Sequence, residues 1–366
     1  MCRQLPVHSL IATVTDFIVR VLTKEEDKMK LNFKENVDLT IGAGGRAMYQ
    51  LLNQLILKEF DNEFLAQQSD QAILPEIKGR LAFSTDSYVV SPLFFNGGDI
   101  GSIAINGTVN DLAVSGAKPL YLSVGFIIEE GFPLSDLRTV VQSMAKAARE
   151  ANVLIVTGDT KVVEKGKGDG LFINTSGVGV IDDAIKIVAD FKIGDKIIIN
   201  GSIADHGMAI MSRRQGLDFA SDIASDCAAL NGLIAEVIAL NPAIRCMRDP
   251  TRGGLSATIN EWANFYKLGV NLKEDQILVH DNVRGICELL GLDPLHVANE
   301  GKVLIMCAAE DAERIVAKMR EHPLGKDAAI IAEVQSLDES YVTMTTAFGG
   351  VRRVDWLSGE QLPRIC

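Results

Sequence analysis

The chain has 366 residues, 47% of them hydrophobic and 23% charged, which is enough apolar material for about two domains with real cores. This composition excludes a disordered chain, a collagen and a disulfide miniprotein. The net charge of −12, from 36 Lys and Arg against 48 Asp and Glu, suits neither nucleic acid nor an anionic membrane surface. A polyanion such as ATP would need a local device: backbone N–H groups, a placed lysine or Mg2+.

In chain order, residues 1–30 carry one apolar stretch at 10–22, interrupted by Asp16 and Arg20 and too short to span a bilayer. Its apolar residues share a helical face. The preferred reading is a helix docked on its own domain, or an extension ahead of a start at Met29; the other is a surface anchor or partner helix. Neither a signal peptide nor a membrane span is expected. A glycine-rich loop at 42–45 leads into a predicted helix over 47–60. Short strands are predicted at 81–83 and 88–90, a small-residue helix at 99–116 and a buried strand at 121–128. Residues 133–150 are predicted to be an amphipathic helix, with Ser135 as its cap. A strand at 153–156 is expected to end in a polar turn, and 171–181 is another strand.

A second block is expected to open with a turn at 193–195 and a strand at 196–200. Helices follow at about 205–215, 224–240 and 253–267. A strand at 303–307, a helix at 310–322 and strands near 328–335 and 341–345 close it. The alternation is too irregular for a doubly wound sheet, so the expected class is α/β with α+β layers in both halves. The division reads as an extension at 1–30, domains at 31–188 and 189–356, and a flexible tail at 357–366. The six cysteines (Cys2, Cys227, Cys246, Cys287, Cys307 and Cys366) are scattered without a Cys-x-x-Cys pair. This speaks against zinc clusters and a disulfide framework and fits a reducing cytoplasm.

Several motifs bear on chemistry. In Gly42-Ala43-Gly44-Gly45, close glycines let a backbone approach phosphates at a helix start, although for this motif alone a plain turn is the preferred reading. Asp86, Asp111, Asp159 and Asp249 each stand beside Gly, Asn, Ser, Thr or Pro. Singly each reads as a turn or cap residue; together their hard oxygens suit Mg2+ bridging to phosphates. Lys161 follows Asp159 and either neutralises phosphate charge or is a solvated loop lysine. His206, in Asp205-His206-Gly207, reads as a ligand or proton shuttle, or as a capping or core histidine. Glu300, in Asn299-Glu300-Gly301, reads as a general base or a turn residue. Cys366 is the last residue, on a Gly- and Pro-containing segment that would extend about 33–36 Å. Its thiolate would be the nucleophile.

These motifs occur together in one family. Phe83-Ser84-Thr85-Asp86-Ser87-Tyr88, the run Gly107 to Gly116, Gly158-Asp159-Thr160-Lys161-Val162-Val163, Asp205-His206-Gly207, Thr251-Arg252-Gly253-Gly254, Ala298-Asn299-Glu300-Gly301-Lys302 and Pro363-Arg364-Ile365-Cys366 carry the likeness. Over about residues 38–366 the chain resembles the HypE family of hydrogenase maturation proteins, within the PurM-like ATP-binding superfamily related to aminoimidazole ribonucleotide synthetase. Ile41 stands where that family more often has His before the glycines, and residues 1–30 have no counterpart in its short forms.

The resemblance implies a two-domain PurM-like fold, a homodimer through the N-terminal domains, and ATP between the halves. It implies that Cys366 receives a carbamoyl group from a HypF-like carbamoyltransferase. ATP-dependent dehydration would turn the S-carboxamide into S-cyanide, which passes to iron on a HypC–HypD complex for a NiFe site. Carried over residue by residue, it makes Cys366, Glu300 and Lys161 catalytic. Nucleotide contacts fall on Gly42, Gly44, Gly45, Asp86, Asn110, Asp111, Gly158, Asp159, Thr160, Thr251, Arg252 and Gly253, and Mg2+ on Asp86, Asp111, Asp159 and Asp249. Two rivals stand beside it. One is another PurM-like enzyme, such as selenophosphate synthetase or a small-molecule kinase; no cysteine lies between Cys2 and Cys227, which weighs against the first. The other is a non-catalytic adaptor that presents the tail.

Overall fold

The structure is a computed structural model that describes residues 31–216, 222–357, 362 and 364–366. The expected helix at 10–22 lies outside them, as does part of the segment after 357.

Four strands form the first sheet: β1 (Arg80–Tyr88), β2 (Lys118–Glu129), β3 (Leu154–Val163) and β4 (Leu171–Ile181). Their order is β1-β4-β2-β3. β4 pairs antiparallel with β1 and β2, while β2 and β3 are parallel. Two helices, α1 (Ile100–Val114) and α2 (Leu134–Glu150), cover one face only. α2 is the crossover that a parallel pair requires. Along β1 and β4 inward residues therefore alternate with exposed ones.

That open face explains two departures from the sequence reading. β1 is one strand, because Thr85 and Ser87 lie on the open face and Ser84 and Asp86 on the side of α1, all four as ladder residues rather than a polar break. β3 likewise runs on through Gly158-Asp159-Thr160-Lys161 as a ladder against β2. Gly158 allows it, since a Cβ there would overlap the carbonyl of Val124. Ser135 is not a cap but lies inside α2; Pro133 holds the N-cap position, and the Leu134 N–H is taken by Glu35 O at 3.1 Å. The stretch 46–60 is not one helix: two α segments flank a π turn at Leu52–Ile56.

The second sheet has seven strands: β5 (Lys196–Ile199), β6 (Ile244–Arg248), β7 (Leu268–Lys273), β8 (Leu304–Cys307), β9 (Ala329–Leu337), β10 (Tyr341–Thr345) and β11 (Val351–Arg353). Their order is β11-β10-β7-β9-β5-β8-β6. Helices α3 (Asp205–Gln215), α4 (Asn231–Ile238), α5 (Gly254–Tyr266), α6 (Asp281–Leu290) and α7 (Ala309–Glu321) belong to this half. Ile197 and Ile199 join a core with α3, α5 and α6, whereas Ile198 joins another with α4 and α7. Both faces are thus covered, which is why 197–199 reads as an unbroken apolar run. β6, β7 and α6 add to the elements expected.

The helix expected over 224–240 is shortened to α4, because 224–230 is spent on cross-links to the first half. Ser225 N donates to Asn96 O at 2.8 Å and Leu230 N to Asn110 Oδ1 at 2.8 Å. The tail is not simply loose. Ile365 is 2% exposed and lies in the core of the first half, together with Ile210 of α3 and Ala298.

Candidate active site

The sequence-predicted residues fall into two groups. The first lies between the halves. Asp86 comes from β1, Asp111 from α1, Asp249 from the turn after β6, and Glu300 from the loop before β8. Asp111 Oδ2 accepts from Ser84 Oγ at 2.7 Å. Burial raises the Asp111 carboxyl above its usual range, and the nearby Asp86 charge adds to this. Asp249 is pushed to about 7, by burial first and then by Asp111. Glu300 is 3% exposed and rises well above the usual carboxylate range, through burial and the charges of Asp249, Asp226, Asp86 and Asp111. Two causes act in the same direction: burial, which is the larger, and the like charges gathered beside each group.

Hard carboxylate oxygens in mutual repulsion fit a divalent cation. Magnesium is usually held by one or two carboxylates and completed by phosphate and water oxygens. Among the described residues no group of three or more His, Cys, Asp or Glu closes a metal cage by itself.

The loop that carries Glu300 is held from behind. Glu300 N donates to Asp226 Oδ1 at 3.1 Å, and Lys302 Nζ lies 2.9 Å from Asp226 Oδ2. Burial opposes the Asp226 charge, but Lys302 and His206 outweigh it and keep the carboxyl below its usual range. Asn110 is a brace: Nδ2 donates to Ala228 O at 3.0 Å and to Glu300 O at 3.2 Å, and Oδ1 accepts from Leu230. Its side chain is thereby committed to protein partners. Asp226 carried no motif; it lies in a stretch that reads as helix, and only the tertiary cross-links reveal it.

Cys366 completes this group. Val89 N, just past β1, donates to Cys366 O at 3.1 Å, and Ser91 N to Arg364 O at 3.2 Å. The last residues thus run along the edge after β1 like an added strand. Burial pushes the Cys366 thiol up to about 12, and the Glu300 charge adds to the shift. The charge of Arg252, from the Thr251-Arg252-Gly253 turn before α5, opposes it. Gly253 starts α5 with φ of 78°, which favours glycine.

The second group sits at the other edge of the first sheet. Gly42, Gly44, Gly158, Asp159, Thr160 and Lys161 line a cavity of about 650 Å³ under the segment 46–60. Gly42 packs on Val162, where a Cβ would overlap the valine side chain. Asp159 and Lys161 point to the open face; Thr160 is buried on the other. Lys161 Nζ bonds both Asp159 oxygens at 2.6 Å and holds that carboxyl below its usual range. Asp159 is therefore apart from Asp86, Asp111 and Asp249: β3 and β1 are three ladder steps apart, roughly 14 Å. Gly45 lies beside this group, at the N-cap of the first helical segment, with no side-chain cap.

Comparison with known proteins sets these groups in a family. Residues 68–181 match the family described as AIR synthase related protein, N-terminal domain, and residues 192–345 its C-terminal domain. The chain is 56% identical over 332 residues to the carbamoyl dehydratase HypE of Azotobacter vinelandii, covering 90% of this chain and 97% of that one. It is similar to a crystal structure of the hydrogenase maturation protein HypE in complex with ATP, with TM-score 0.86, 48% identity, and 90% and 99% of the two chains covered. It is also similar to the crystal structure of a HypE–HypF complex, with TM-score 0.73, 47% identity, and 84% and 99% covered. The chain belongs to the HypE family of hydrogenase maturation carbamoyl dehydratases, on the two-domain fold of the AIR synthase-related, PurM-like proteins.

Proposed function

We propose that this chain is an ATP-dependent carbamoyl dehydratase, which converts an S-carboxamide on Cys366 into S-cyanide for the iron of a NiFe hydrogenase. The observation that carries this reading is the docking of the last residues along the edge after β1, with Val89 N donating to Cys366 O at 3.1 Å, which sets Cys366 within the electrostatic influence of Glu300, Asp86 and Asp249.

The residues divide the work. The tail brings the carboxamide in as a tethered group, so reaction is intramolecular. Asp86, Asp111 and Asp249 would hold Mg2+. MgATP, when bound, supplies the phosphoryl group that turns the carboxamide oxygen into a leaving group, and its cation offsets the carboxylate charge. Glu300 would be the base that accepts one N–H proton of the carboxamide as its oxygen is phosphorylated, and the second N–H proton would leave with the departing phosphate as the nitrile forms. Asp226 and Lys302 fix the Glu300 backbone, and Asn110 ties it to α1. The closed surroundings keep water from hydrolysing the carboxamide. Gly42, Gly44, Gly45, Gly158, Asp159, Thr160 and Lys161 are proposed as a second set of phosphate contacts, with Lys161 as their positive charge.

A docked thiol held near 12 is poorly ionised, so loading belongs to an undocked tail. A HypF-like carbamoyltransferase is the proposed donor, and a HypC–HypD complex the proposed acceptor of cyanide. A homodimer through the open face of the first sheet is proposed as well. Leu81 and Phe83 on β1, Ile127 on β2 and Leu154 on β3 are 62%, 70%, 46% and 41% exposed there, and pairing two such faces would cover them. It would also bring Asp159 and Lys161 to the seam. A reducing cytoplasm is the proposed compartment, since the reaction needs Cys366 as a free thiol. Among the described residues no helix is long and apolar enough to cross a membrane.

The test is mass spectrometry of the C-terminal peptide after incubation with a HypF-type carbamoyltransferase, carbamoyl phosphate and ATP. The expected result is carbamoylation of Cys366, then loss of one water that requires ATP. A Cys366→Ala protein that still acquires the modification refutes the assignment.

A further inference from the structure

The tail's contacts with α3 are not part of the chemistry described above. His206, Ile210 and Arg214 follow one another at i, i+4 and i+8, so they share one face of that helix. Each meets the tail. His206 Nε2 lies 2.8 Å from Ile365 O. Ile210 packs in the same buried cluster as Ile365. Arg214 Nη2 donates to Arg364 O at 3.1 Å, and its Nε to Ser91 O at 3.1 Å. Leu362 also lies at ordinary contact distance from the position of Gly207 on this helix.

We propose that this face of α3 is the dock for the tail, with His206 and Arg214 as positioning residues that grip its main-chain carbonyls and so fix Cys366 in its place beside the strand after β1. The grip on carbonyls leaves the Ile365 side chain to be selected by the apolar cluster. His206 is well prepared for the part. Ser225 Oγ lies 2.8 Å from its Nδ1, and the Phe95 ring meets it edge-on at 5.6 Å, so the imidazole has one orientation. Nε2 then carries the proton given to Ile365. Arg214 bridges two carbonyls, one on the edge after β1 and one on the tail, so it locks the added strand to the strand it extends. Arg364 adds a rim contact with Asp169 of the β3–β4 loop; both are substantially exposed, and such a pair contributes little.

The inference takes from the dehydratase reading only what the docked thiol is for. The dock itself is tested on unmodified full-length protein, by the rate at which iodoacetamide alkylates Cys366, followed on the C-terminal peptide by mass spectrometry. His206→Leu keeps the bulk and removes the donor; Arg214→Gln removes the fork. Each is expected to alkylate roughly fivefold faster than the parent, as loss of one hydrogen bond to the docked state implies. His206→Gln, which can still donate to Ile365, should stay within about twofold of the parent, a rescue that a merely structural histidine would not show. In carbamoylated protein, ATP-dependent water loss should slow by a similar factor in His206→Leu and Arg214→Gln, with ATP binding unchanged. Parent-like alkylation in both of those variants overturns the dock. A parent protein that never loses water refutes the dehydratase reading and leaves the alkylation result standing.

Discussion

Asp249→Asn isolates the electrostatic pressure in the site. In the folded chain the Asp249 carboxyl is held to about 7, against an ordinary value of ~3.9 in the unfolded chain. Between those values the native state binds a proton that the unfolded state does not, so stability falls as pH rises from about 4 to about 7. At ~1.4 kcal/mol per unit, ionising this one group costs the native state about 4 kcal/mol in total. About 2.5 kcal/mol of that falls between pH 5 and pH 8. Asparagine has nearly the same shape and no titration, so the variant should lack this part of the pH dependence. Thermal unfolding at pH 5 and pH 8, without nucleotide or metal, reads the difference. The parent should lose roughly 5 °C more than Asp249→Asn over that interval, at ~2 °C per kcal/mol for a chain of this size. Millimolar Mg2+ should recover stability at pH 8 in the parent more than in the variant. Equal pH dependence in the two proteins would refute the argument that burial, with the Asp111 charge beside it, raises this group.

Two further outcomes separate the groups of residues. Glu300→Gln keeps the buried shape and removes the base, so the S-carboxamide should accumulate on Cys366 and water loss should fall by at least 100-fold; normal turnover would remove Glu300 from that role. Asp159→Ala should weaken ATP binding and slow dehydration at least tenfold while leaving iodoacetamide alkylation of Cys366 unchanged, since Asp159 lies across the sheet from the tail.

What was legible in the sequence depended on whether the cause was local. α1 and α2 were readable from small-residue and amphipathic periodicity, and β4 from an apolar run. β1 and β3 were misread at Ser84–Ser87 and Gly158–Lys161, because Thr85, Ser87, Asp159 and Lys161 mark a solvated sheet face, and Ser84 and Asp86 the side of the site, rather than a turn. No local pattern distinguishes the two; only the absence of a helix layer on that side does. The same limit shortened the helix expected at 224–240. Within its first seven residues, Ser225 and Leu230 donate to Asn96 and Asn110, more than a hundred positions earlier. In the site, Asp86, Asp111, Asp249, Glu300 and Cys366 could be named because each stands in a short motif. Asp226 and Arg214 could not, since each acts through a partner remote in sequence.

The docked state also decides which form of Cys366 the site accepts. A thiol held near 12 is ionised about once in 10⁵ molecules at pH 7, far below an ordinary cysteine at ~8.5. The raised value means that docking is undiminished below the free thiol's value and is lost as pH rises from there toward 12. Burial is the first cause, and the charges of Glu300, Asp86 and Asp249, which are proposed to serve the chemistry, add to it, so the site disfavours a thiolate. A carbamoylated cysteine has no such proton to lose. It meets only the burial that Ile365 already secures and the grip of His206 and Arg214 on the carbonyls behind it. On the proposed function, the neutral, loaded tail therefore keeps its dock at the alkaline pH where the free thiol ionises, and the thiolate is the form that the pocket disfavours.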